Sequence, residues 1–529
     1  MPPKLIDSGG SAAGRSANIV TGLALLALAL GIWLRLAGLG TDGFWLDEVF
    51  SASFANLSAV GTLMAVVLYD VHPPLYYLQL NAWGLLGHGD LWLRLNSVLW
   101  STGTLVAVFF GTRRQFGTSG GLLALMLCAV MGGEVYFAHE LRMYPMETCL
   151  VVLSWIAANR FAADYRFGSA WPLIILLAAI GAIHSAAVIP ASAVLLYVFP
   201  VADLGQLRTR LRTWIAVTAV VVCTYIPWVI NSSLRNAIGH TSGASIPALI
   251  QTVGGWFIGY GDPVPLSTSG LAAFFLVVFG LVAALLACPR LLRMVLCFLV
   301  WPLLFGAILC VIVQPIWLDR TFAFCAPFVA IAFGAALGQW LGAHGSSAPK
   351  LALYAVVGLF AALLVAGGRL AYVQSITPNK PDHYRELAGY LSAHAAPGEV
   401  IYAPEYIDFW GVNRYLIGPD WGSALKFQDA GLLDGLKRWR RLYSLLGPVR
   451  LERLGVMPET RRIDRFRIPV YTGFTPLPDL PGVTGEWLVS THGAPLSPPG
   501  DWHLCAAQYP VPMRFGRLEL YHWACASAG

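Results

Sequence analysis

Two carboxylates, Asp47 and Glu48, stand side by side in the stretch GFWLDEVFSASF, directly after a long apolar run. A carboxylate near a membrane surface, in a partly apolar pocket, tends to have a raised pKa and so becomes a useful general base. The alternative is helix capping, in which acids in a first turn are stabilised by the helix dipole and free backbone amides. Adjacent residues on a helix point in different directions, so we expect Asp47 and Glu48 to have different tasks.

The second polar cluster is YDVHPPLYYLQ, which covers residues 69–79. Two prolines follow His72 and fix the backbone beneath the polar side chains, as a preorganised binding site requires. Asp70, His72 and Tyr76 are therefore candidate substrate-binding residues. The structural alternative is a proline-kinked loop that leads into an interfacial helix with an aromatic belt.

The third polar cluster is AHELRMYPME, residues 138–147. A guanidinium group offers a two-pronged fork to phosphate oxygens, so Arg142 and Tyr144 are candidates to hold a phosphate. The alternative is an ordinary ion pair between Arg142 and either Glu140 or Glu147.

The fourth polar cluster is QPIWLDRTFAF, where Asp319 and Arg320 precede a late apolar run. Both residues are further candidates for substrate binding. Considered by themselves, they are better explained by snorkelling of a charged side chain at a helix end.

The composition places these clusters in a polytopic membrane protein. Of the 529 residues, 57% are apolar and 12% are charged, with a mean hydropathy of +0.64 that no ordinary soluble domain approaches. Residues 370–529 nevertheless hold 16 of the 34 Lys and Arg residues and 15 of the 28 Asp and Glu residues. We therefore expect a transmembrane domain over 1–369 and a water-exposed domain over 370–529, long enough to bury its own core.

Roughly eleven stretches have the length and apolar character of a membrane-spanning helix. They lie near 18–39, 94–112, 119–137, 144–162, 170–184, 186–201, 213–230, 268–288, 291–314, 321–341 and 350–369. The polar segment before the first is too long and too weakly basic for a cleaved secretory signal, so we expect that span to be a membrane helix.

The distribution of Lys and Arg residues predicts the orientation of the chain. Arginine-rich segments fall in alternate short loops, which would share the cytoplasmic side with the N-terminus. The other loops carry most of the acids and would face out, together with the C-terminal domain. The prediction is a multi-pass protein of the inner membrane, with a cytoplasmic N-terminus and a periplasmic or extracytoplasmic C-terminal domain.

Two of the predicted outer loops, 40–93 and 231–267, are long, and loops of such length are uncommon unless they carry function. In the first, DEVFSASFANLSAVGTLMAVV has apolar residues at roughly helical spacing, which predicts a helix at the membrane surface with the acidic pair at its N-terminus. The C-terminal domain begins PDHYRELAGYLSAHAAPGEVIYAPE, which predicts an amphipathic helix, a Pro-Gly turn and a short strand of an α/β domain.

Cysteine spacing and charge exclude two classes of site. The nine cysteines include no CxxC pair and no Cys/His ligand spacing, so a metal cluster is not expected. Cys505 and Cys525 could form a disulfide if the C-terminal domain lies in an oxidising compartment. The net charge of +6 does not indicate nucleic-acid binding, because the arginine-rich segments lie at helix ends.

All four polar clusters fall on the predicted outer side of the membrane. Carboxylates that remove a proton and arginines that hold an anion, placed at the membrane surface, suggest a lipid-linked phosphate substrate. A transporter would instead place ionisable residues near mid-membrane, on discontinuous helices in paired halves. His184 is the main buried candidate for such a role, and a single residue gives little support to the transporter alternative.

Taken in order, the motifs resemble those of GT-C glycosyltransferases. They are WLDE after the first membrane helix, DVHPPLYYLQ before the second, RLNSVL at the start of that helix and RMYPME at the opening of the fourth. The resemblance is to the bacterial branch related to protein O-mannosyltransferases (family 39) and to the ArnT-type lipid A aminoarabinose transferases, and it covers about residues 20–345. Each motif alone is weak, but the ordered combination is specific.

The resemblance implies a polyprenyl-phosphate sugar donor and transfer of the sugar, with inversion, to a lipid, glycan or protein acceptor. It maps the catalytic base onto Asp47 and the family's second acid, often thought to orient a metal or the acceptor, onto Glu48. It implies donor contacts at Arg142, Tyr144 and Arg320. The only cofactor it suggests is a divalent metal ion, which Asp47 or Glu48 would hold.

The sequence therefore predicts a glycosyltransferase of the cell envelope that works by a single displacement. Polyprenyl phosphate is a good leaving group, so it needs charge stabilisation more than a proton, whereas inverting glycosidases need both an acid and a base. One alternative is a transporter or flippase for lipid-linked sugars that uses the same clusters for binding. Another is a non-catalytic envelope-assembly subunit whose outer domain binds a partner.

Overall fold

The computed structural model of the chain describes residues 9–55, 57–200, 206–233, 243–260, 268–313, 317–343, 350–397, 399–403, 406–418, 461–463, 470–472, 485–490 and 513–524. Cys505 and Cys525, which could form a disulfide, lie outside these residues.

Helices dominate the described chain. They are α1 Gly9–Leu36, α2 Leu46–Ala55, α3 Ala59–Tyr69, α4 Leu75–Gly84, α5 Asp90–Val130, α6 Gly132–Ala138, α7 Tyr144–Asp164, α8 Phe167–Gly181, α9 Val188–Tyr197, α10 Leu207–Ser233, α11 Ile246–Ile258, α12 Thr268–Ala287, α13 Leu292–Val295, α14 Trp301–Ile312, α15 Ala326–Ala343, α16 Lys350–Ile376, α17 Tyr384–His394 and α18 Tyr406–Leu416. Short 3-10 turns at Pro289–Leu291 and Asp319–Cys325 and a π-helical turn at Leu296–Val300 adjoin α13, α14 and α15.

Six helical segments of the described chain are long and apolar enough to cross a membrane. They are Asn18–Leu36, Asp90–Val130, Leu207–Ile230, Thr268–Ala287, Pro289–Ile312 and Asp319–Leu341. Shorter apolar helices occur at Phe167–Gly181, Val188–Tyr197, Ile246–Ile258 and Leu363–Ile376. Every one of the eleven apolar stretches predicted from the sequence overlaps a helix, which confirms a polytopic helical protein. The number of crossings and their orientation stay predictions.

The chain divides into two compact units. The first, the membrane unit, contains Met1–Leu39, Ser97–Val229 and Ile238–Thr377. The second, the loop-and-tail unit, contains Gly40–Asn96, Ile230–Ala237 and Pro378–Gly529. The first predicted outer loop therefore packs with the C-terminal part of the chain, and the predicted boundary at 369/370 falls inside α16.

Within the membrane unit, a buried arginine joins α1 to α5. The fully buried Arg35 donates through Nε to Ser101 Oγ (2.7 Å) and through Nη1 to the carbonyl oxygens of Gly31 (3.0 Å) and Ala129 (3.1 Å). Because an arginine without partners would be very costly inside an apolar helix bundle, these bonds explain how α1 tolerates it.

A glycine interrupts α5 near its middle. Gly117 has a φ of 83°, a value that glycine adopts without strain and other residues rarely do. This break lies between the predicted spans at 94–112 and 119–137, so α5 consists of two helical segments that meet at Gly117.

In the loop-and-tail unit, the predicted surface helix consists of two helices. The acidic pair lies in the first turn of α2, as predicted. A second helix, α3, begins after Ser58, whose hydroxyl accepts a hydrogen bond from the Gly61 amide (3.0 Å). The apolar spacing continues across this junction, so periodicity alone could not reveal that a serine cap starts a new helix.

The C-terminal part of this unit is α/β, as predicted. Strands β1 Glu399–Tyr402, β2 Arg461–Ile463, β3 Val470–Thr472, β4 Gly485–Ser490, β5 Met513–Phe515 and β6 Leu518–Ala524 form one sheet in the order β2-β3-β1-β4-β6-β5. Strand β1 is parallel to both of its neighbours, and the outer pairs are antiparallel. Helix α18 packs against α17 and against α2, so it links the sheet domain to the helix that carries the acidic pair.

Candidate functional site

A buried ion pair fixes the second acid of the pair. Arg94 donates through Nε to Glu48 Oε1 (2.8 Å) and through Nη2 to Oε2 (2.6 Å). Neither side chain has more than 2% of its surface exposed. The same guanidinium donates to the carbonyl oxygens of Asp42 (2.7 Å) and Gly43 (2.9 Å). Glu48 is thus tied through Arg94 to the segment that leads into α2, in the two-pronged geometry of a strong charge-assisted pair.

The first acid has a different environment. Asp47 lies in the same helical turn as Glu48, but the residue as a whole is partly exposed, although its Oδ2 atom is buried. Its backbone carbonyl accepts a hydrogen bond from Ser51 Oγ (3.1 Å). The two neighbouring carboxylates therefore have different environments, and their different tasks stay a prediction.

A carboxylate from the C-terminal part of the chain caps α2. Asp382 Oδ2 accepts a hydrogen bond from the Leu46 amide (3.1 Å), the first amide of that helix. Arg517 donates to both oxygens of Asp382 at 2.9 Å. Because the amides of a first helical turn have no partners within the helix, this contact both stabilises α2 and fixes where it begins.

A second network holds the segment before α2. Asp90 accepts hydrogen bonds from Arg414 Nη2 (2.7 Å), Arg385 Nη2 (3.1 Å) and Tyr415 Oη (2.6 Å). The same Tyr415 oxygen accepts from the Phe44 amide (2.6 Å). Burial, together with the negative charge of Asp90, raises the pKa of Tyr415, so its hydroxyl remains a donor.

The second polar cluster forms a tight turn followed by a helix. Asp70 Oδ1 accepts from the amides of Val71 (2.7 Å) and His72 (3.2 Å), which gives the carboxylate a local structural role that sequence analysis did not assign. His72 is partly exposed, whereas the Tyr76 side chain is fully buried in α4. Substrate binding by these three residues stays a prediction, and His72 is the most accessible of them.

The third polar cluster lies at the start of α7 in the membrane unit. Arg142 is 5% exposed and Tyr144 is 2% exposed. The Tyr144 ring meets His184 edge-on at 5.8 Å, and Glu147 Oε1 lies 3.8 Å from His184 Nδ1. His184, considered above as a transport residue, therefore belongs to the surroundings of the third cluster.

The fourth polar cluster lies in the 3-10 turn that precedes α15. Asp319 Oδ1 accepts from Thr252 Oγ1 (3.3 Å), and Thr252 in turn accepts from Trp317 Nε1 (3.1 Å). Asp319 and Arg320 are both partly exposed. Because this turn packs against α7, the structure brings the third and fourth clusters onto adjacent elements of one unit.

The metal considered above does not fit Glu48. Both oxygens of that carboxylate accept hydrogen bonds from Arg94, whose positive charge would repel a metal cation beside them. Among the described residues, no group of three or more His, Cys, Asp or Glu side chains is arranged to hold a metal ion. We therefore derive no step through a metal.

Four charged residues that organise α2 escaped sequence analysis, and they are Arg94, Asp382, Arg385 and Arg414. For Arg94 a signal was present, since it opens the RLNSVL motif at the start of a long apolar helix, where an unpaired charge would be unfavourable. For the other three, the tail sequence offers no comparable signal.

Comparison with known proteins identifies the fold. No family model and no curated protein matches the chain. Among solved structures, the apo form of ArnT from Cupriavidus metallidurans matches with a TM-score of 0.50 and 14% identity, over 97% of this chain and 98% of that one. The same ArnT bound to undecaprenyl phosphate matches with a TM-score of 0.48 and 14% identity, over 87% and 98%.

An archaeal structure also matches, over part of its length. The apo oligosaccharyltransferase from Archaeoglobus fulgidus has a TM-score of 0.47 and 12% identity, and covers 74% of this chain. The chain spans 63% of the length of that protein. Because the likeness to apo ArnT extends over nearly the whole of both chains, the chain shares the fold of that protein.

Proposed function

We propose that the chain transfers a sugar from a polyprenyl-phosphate donor to a lipid, glycan or protein acceptor at the outer face of the cytoplasmic membrane. The observation that carries this proposal is the unequal placement of the two acids in a chain with the GT-C fold. Glu48 is buried and paired with Arg94, whereas Asp47 is partly exposed in the same helical turn. This arrangement supports Asp47 as the reactive acid and Glu48 as the residue that holds Asp47 in position.

In the proposed reaction, Asp47 takes a proton from the acceptor's nucleophilic group. The freed electron pair forms a bond to the anomeric carbon of the sugar, on the face opposite the phosphate. The bond between that carbon and the phosphate oxygen breaks, and its electrons leave with the polyprenyl phosphate. One displacement inverts the anomeric configuration, and Asp47 then releases its proton to water.

The leaving phosphate gains negative charge in this step. We assign its stabilisation to Arg142 and Arg320, with Tyr144 as a further donor contact. Preorganised positive groups of this kind act without reorganisation during the reaction, and this makes electrostatic stabilisation a large contribution to catalysis. The RMYPME segment and the position of Arg320 in QPIWLDRTFAF resemble donor-binding positions of the GT-C glycosyltransferases. The packing of α7 against the turn that contains Arg320 also supports these assignments.

Glu48 is a positioning residue in this proposal. Its ion pair with Arg94 fixes the first turn of α2 against the backbone of Asp42 and Gly43, and so fixes the direction of Asp47. Both oxygens of Glu48 accept hydrogen bonds from the buried Arg94 guanidinium, so in this proposal Glu48 does not contact the acceptor.

The test uses the full chain reconstituted in nanodiscs with undecaprenyl phosphate that carries a radiolabelled sugar, either aminoarabinose or mannose, and an envelope extract as acceptor. We expect release of undecaprenyl phosphate and transfer of label by wild type, and a loss of at least about a hundredfold with Asp47→Asn, as general-base catalysis predicts. Glu386→Gln removes an exposed carboxylate of the same unit and is the matched control.

Equal turnover by wild type and Asp47→Asn would remove Asp47 from the mechanism. Movement of the labelled lipid across sealed vesicles, without any covalent transfer, would contradict the proposed reaction and support a flippase instead.

A further inference from the structure

The membrane unit has an apolar groove between α1 and α5, with a volume of about 510 Å³. Ala24 and Leu28 of α1 form one wall, and Leu105 and Phe109 of α5 form the other. Leu125, which lies beyond the break in α5, closes one side. This volume falls within the range of about 300–1,000 Å³ that is typical of small-molecule sites.

One end of the groove carries a positive charge. The Arg113 side chain lines the groove and is exposed, one helical turn beyond Phe109. A methyl group at Gly121 would lie 2.8 Å from Arg113 Cβ, so the absence of a side chain at Gly121 gives the arginine its position. The described lining residues include no carboxylate, so the charge of Arg113 is not neutralised inside the groove.

We propose that this groove binds one anionic phospholipid, with its phosphate at Arg113 and an acyl chain between α1 and α5. The groove is apolar and has one positively charged side chain at one end, so it is complementary to a lipid with an apolar chain and an anionic head group. A guanidinium binds phosphate oxygens with two hydrogen bonds. In the predicted orientation Arg113 lies at the cytoplasmic leaflet, so this lipid site is separate from the proposed sugar-transfer chemistry and does not depend on it.

The head-group contact is tested by native mass spectrometry of the full chain, delipidated in detergent and titrated with phosphatidylglycerol or phosphatidylcholine. We expect one tightly held phosphatidylglycerol per wild-type chain and weaker phosphatidylcholine binding. Arg113→Gln should weaken phosphatidylglycerol binding about fivefold, because a basic side chain near a membrane surface contributes about 1 kcal/mol to the binding of anionic lipid. Arg114→Gln removes the adjacent exposed charge, which does not line the groove, and should have little effect.

The acyl-chain contact is tested by Ala24→Trp, which fills the groove without changing any charge. Phosphatidylglycerol binding should fall by a similar factor, while the Tm stays close to that of wild type. Equal effects of Arg113→Gln and Arg114→Gln, or unchanged binding in Ala24→Trp, would overturn the proposal and indicate attraction of the head group alone. The same titration is run with undecaprenyl phosphate, and tighter binding of that lipid than of phosphatidylglycerol would overturn the assignment to a phospholipid.

Discussion

Arg94 binds both oxygens of Glu48 at 2.6–2.8 Å, and the two side chains are almost completely buried. A pair of this kind need not add much net stability, because removing two charges from water offsets their attraction. Loss of one partner is different, since it leaves an uncompensated charge inside the protein. The main effect of the pair is therefore to fix the position of α2, and its net contribution to the free energy of folding is small.

Arg94→Gln should lower the free energy of unfolding of the loop-and-tail unit by about 3–5 kcal/mol, because Glu48 would remain buried without its guanidinium. Thermal unfolding of the detergent-purified chain measures this as a fall in Tm. The double variant Glu48→Met/Arg94→Met, which removes both charges, should recover most of the loss.

The matched control for this prediction is Arg514→Gln, which breaks an ion pair with Glu519 whose arginine is 73% exposed. An exposed ion pair contributes at most about 1 kcal/mol to the free energy of unfolding. The Tm of Arg514→Gln should therefore be close to that of wild type. Comparable falls in Tm for Arg94→Gln and Arg514→Gln would contradict the structural role given to Arg94.

Asp382→Ala should loosen the start of α2, because the Leu46 amide would lose its acceptor and Arg517 its partner. Loss of a helix cap costs about 1 kcal/mol, so the chain should still fold. Hydrogen exchange of the amides in Leu46–Ala55 should become faster, and sugar transfer should fall by more than the change in Tm explains. Asp382→Asn keeps an acceptor oxygen and should have the smaller effect. Equal rates of amide hydrogen exchange in both variants and wild type would show that Asp382 does not position α2.

Glu399 should contribute stability only while it is ionised. Burial opposes its charge, but hydrogen bonds from the Ala396 amide, Trp487 Nε1 and His522 outweigh burial and lower its pKa below the usual 4.5. The folded state therefore favours the carboxylate, and this stabilisation is complete above about pH 4.5 and is lost as pH falls through the lowered pKa.

The variant Glu399→Gln tests whether ionised Glu399 stabilises the folded state. The Tm of wild type should exceed that of Glu399→Gln at pH 7, and the difference should shrink as the pH is lowered below 4.5. A difference that grows on acidification would mean that the folded state binds the proton instead. Thermal unfolding across pH 3–7 makes the measurement.

Gly117→Ala should destabilise the membrane unit by about 1–3 kcal/mol, because a φ of 83° with a ψ of 171° is a conformation that almost only glycine adopts. A methyl group there would meet no atom within 4 Å, so the effect would come from the backbone alone. Gly168→Ala is the matched control, since its methyl group also meets nothing and its backbone is helical. That substitution should be neutral or slightly stabilising, and similar losses at both positions would contradict the argument.

Local patterns predicted the elements well but could not predict which distant residues complete the site. Apolar runs placed the membrane helices, and the acid pair fell in the first turn of α2 as expected. The contact between Leu46 and Asp382 joins residues 336 positions apart, and Asp90 and Arg414 are 324 apart. Such pairs depend on how the tail folds against the first loop, which periodicity and propensity do not encode.

Two short-range features were also not predicted from the sequence. The spacing of apolar residues continues from α2 into α3, so only the Ser58 cap marks the boundary. Asp70 is a candidate ligand because it stands beside a histidine and two prolines, and its carboxylate also closes a turn with the next two amides. Asx turns use the same residue types as binding sites do, and sequence alone does not separate the two.

The contacts between the first loop and the tail also set an order of events during synthesis. Asp90 leaves the ribosome long before Arg414, and Leu46 long before Asp382 and Arg517. A nascent chain that stops short of Arg517 would contain the acidic helix without its cap or the full set of partners that align it. The acidic helix therefore acquires these partners only after Arg517 has been synthesised, and a product truncated before Asp382 would leave the Leu46 amide without this acceptor.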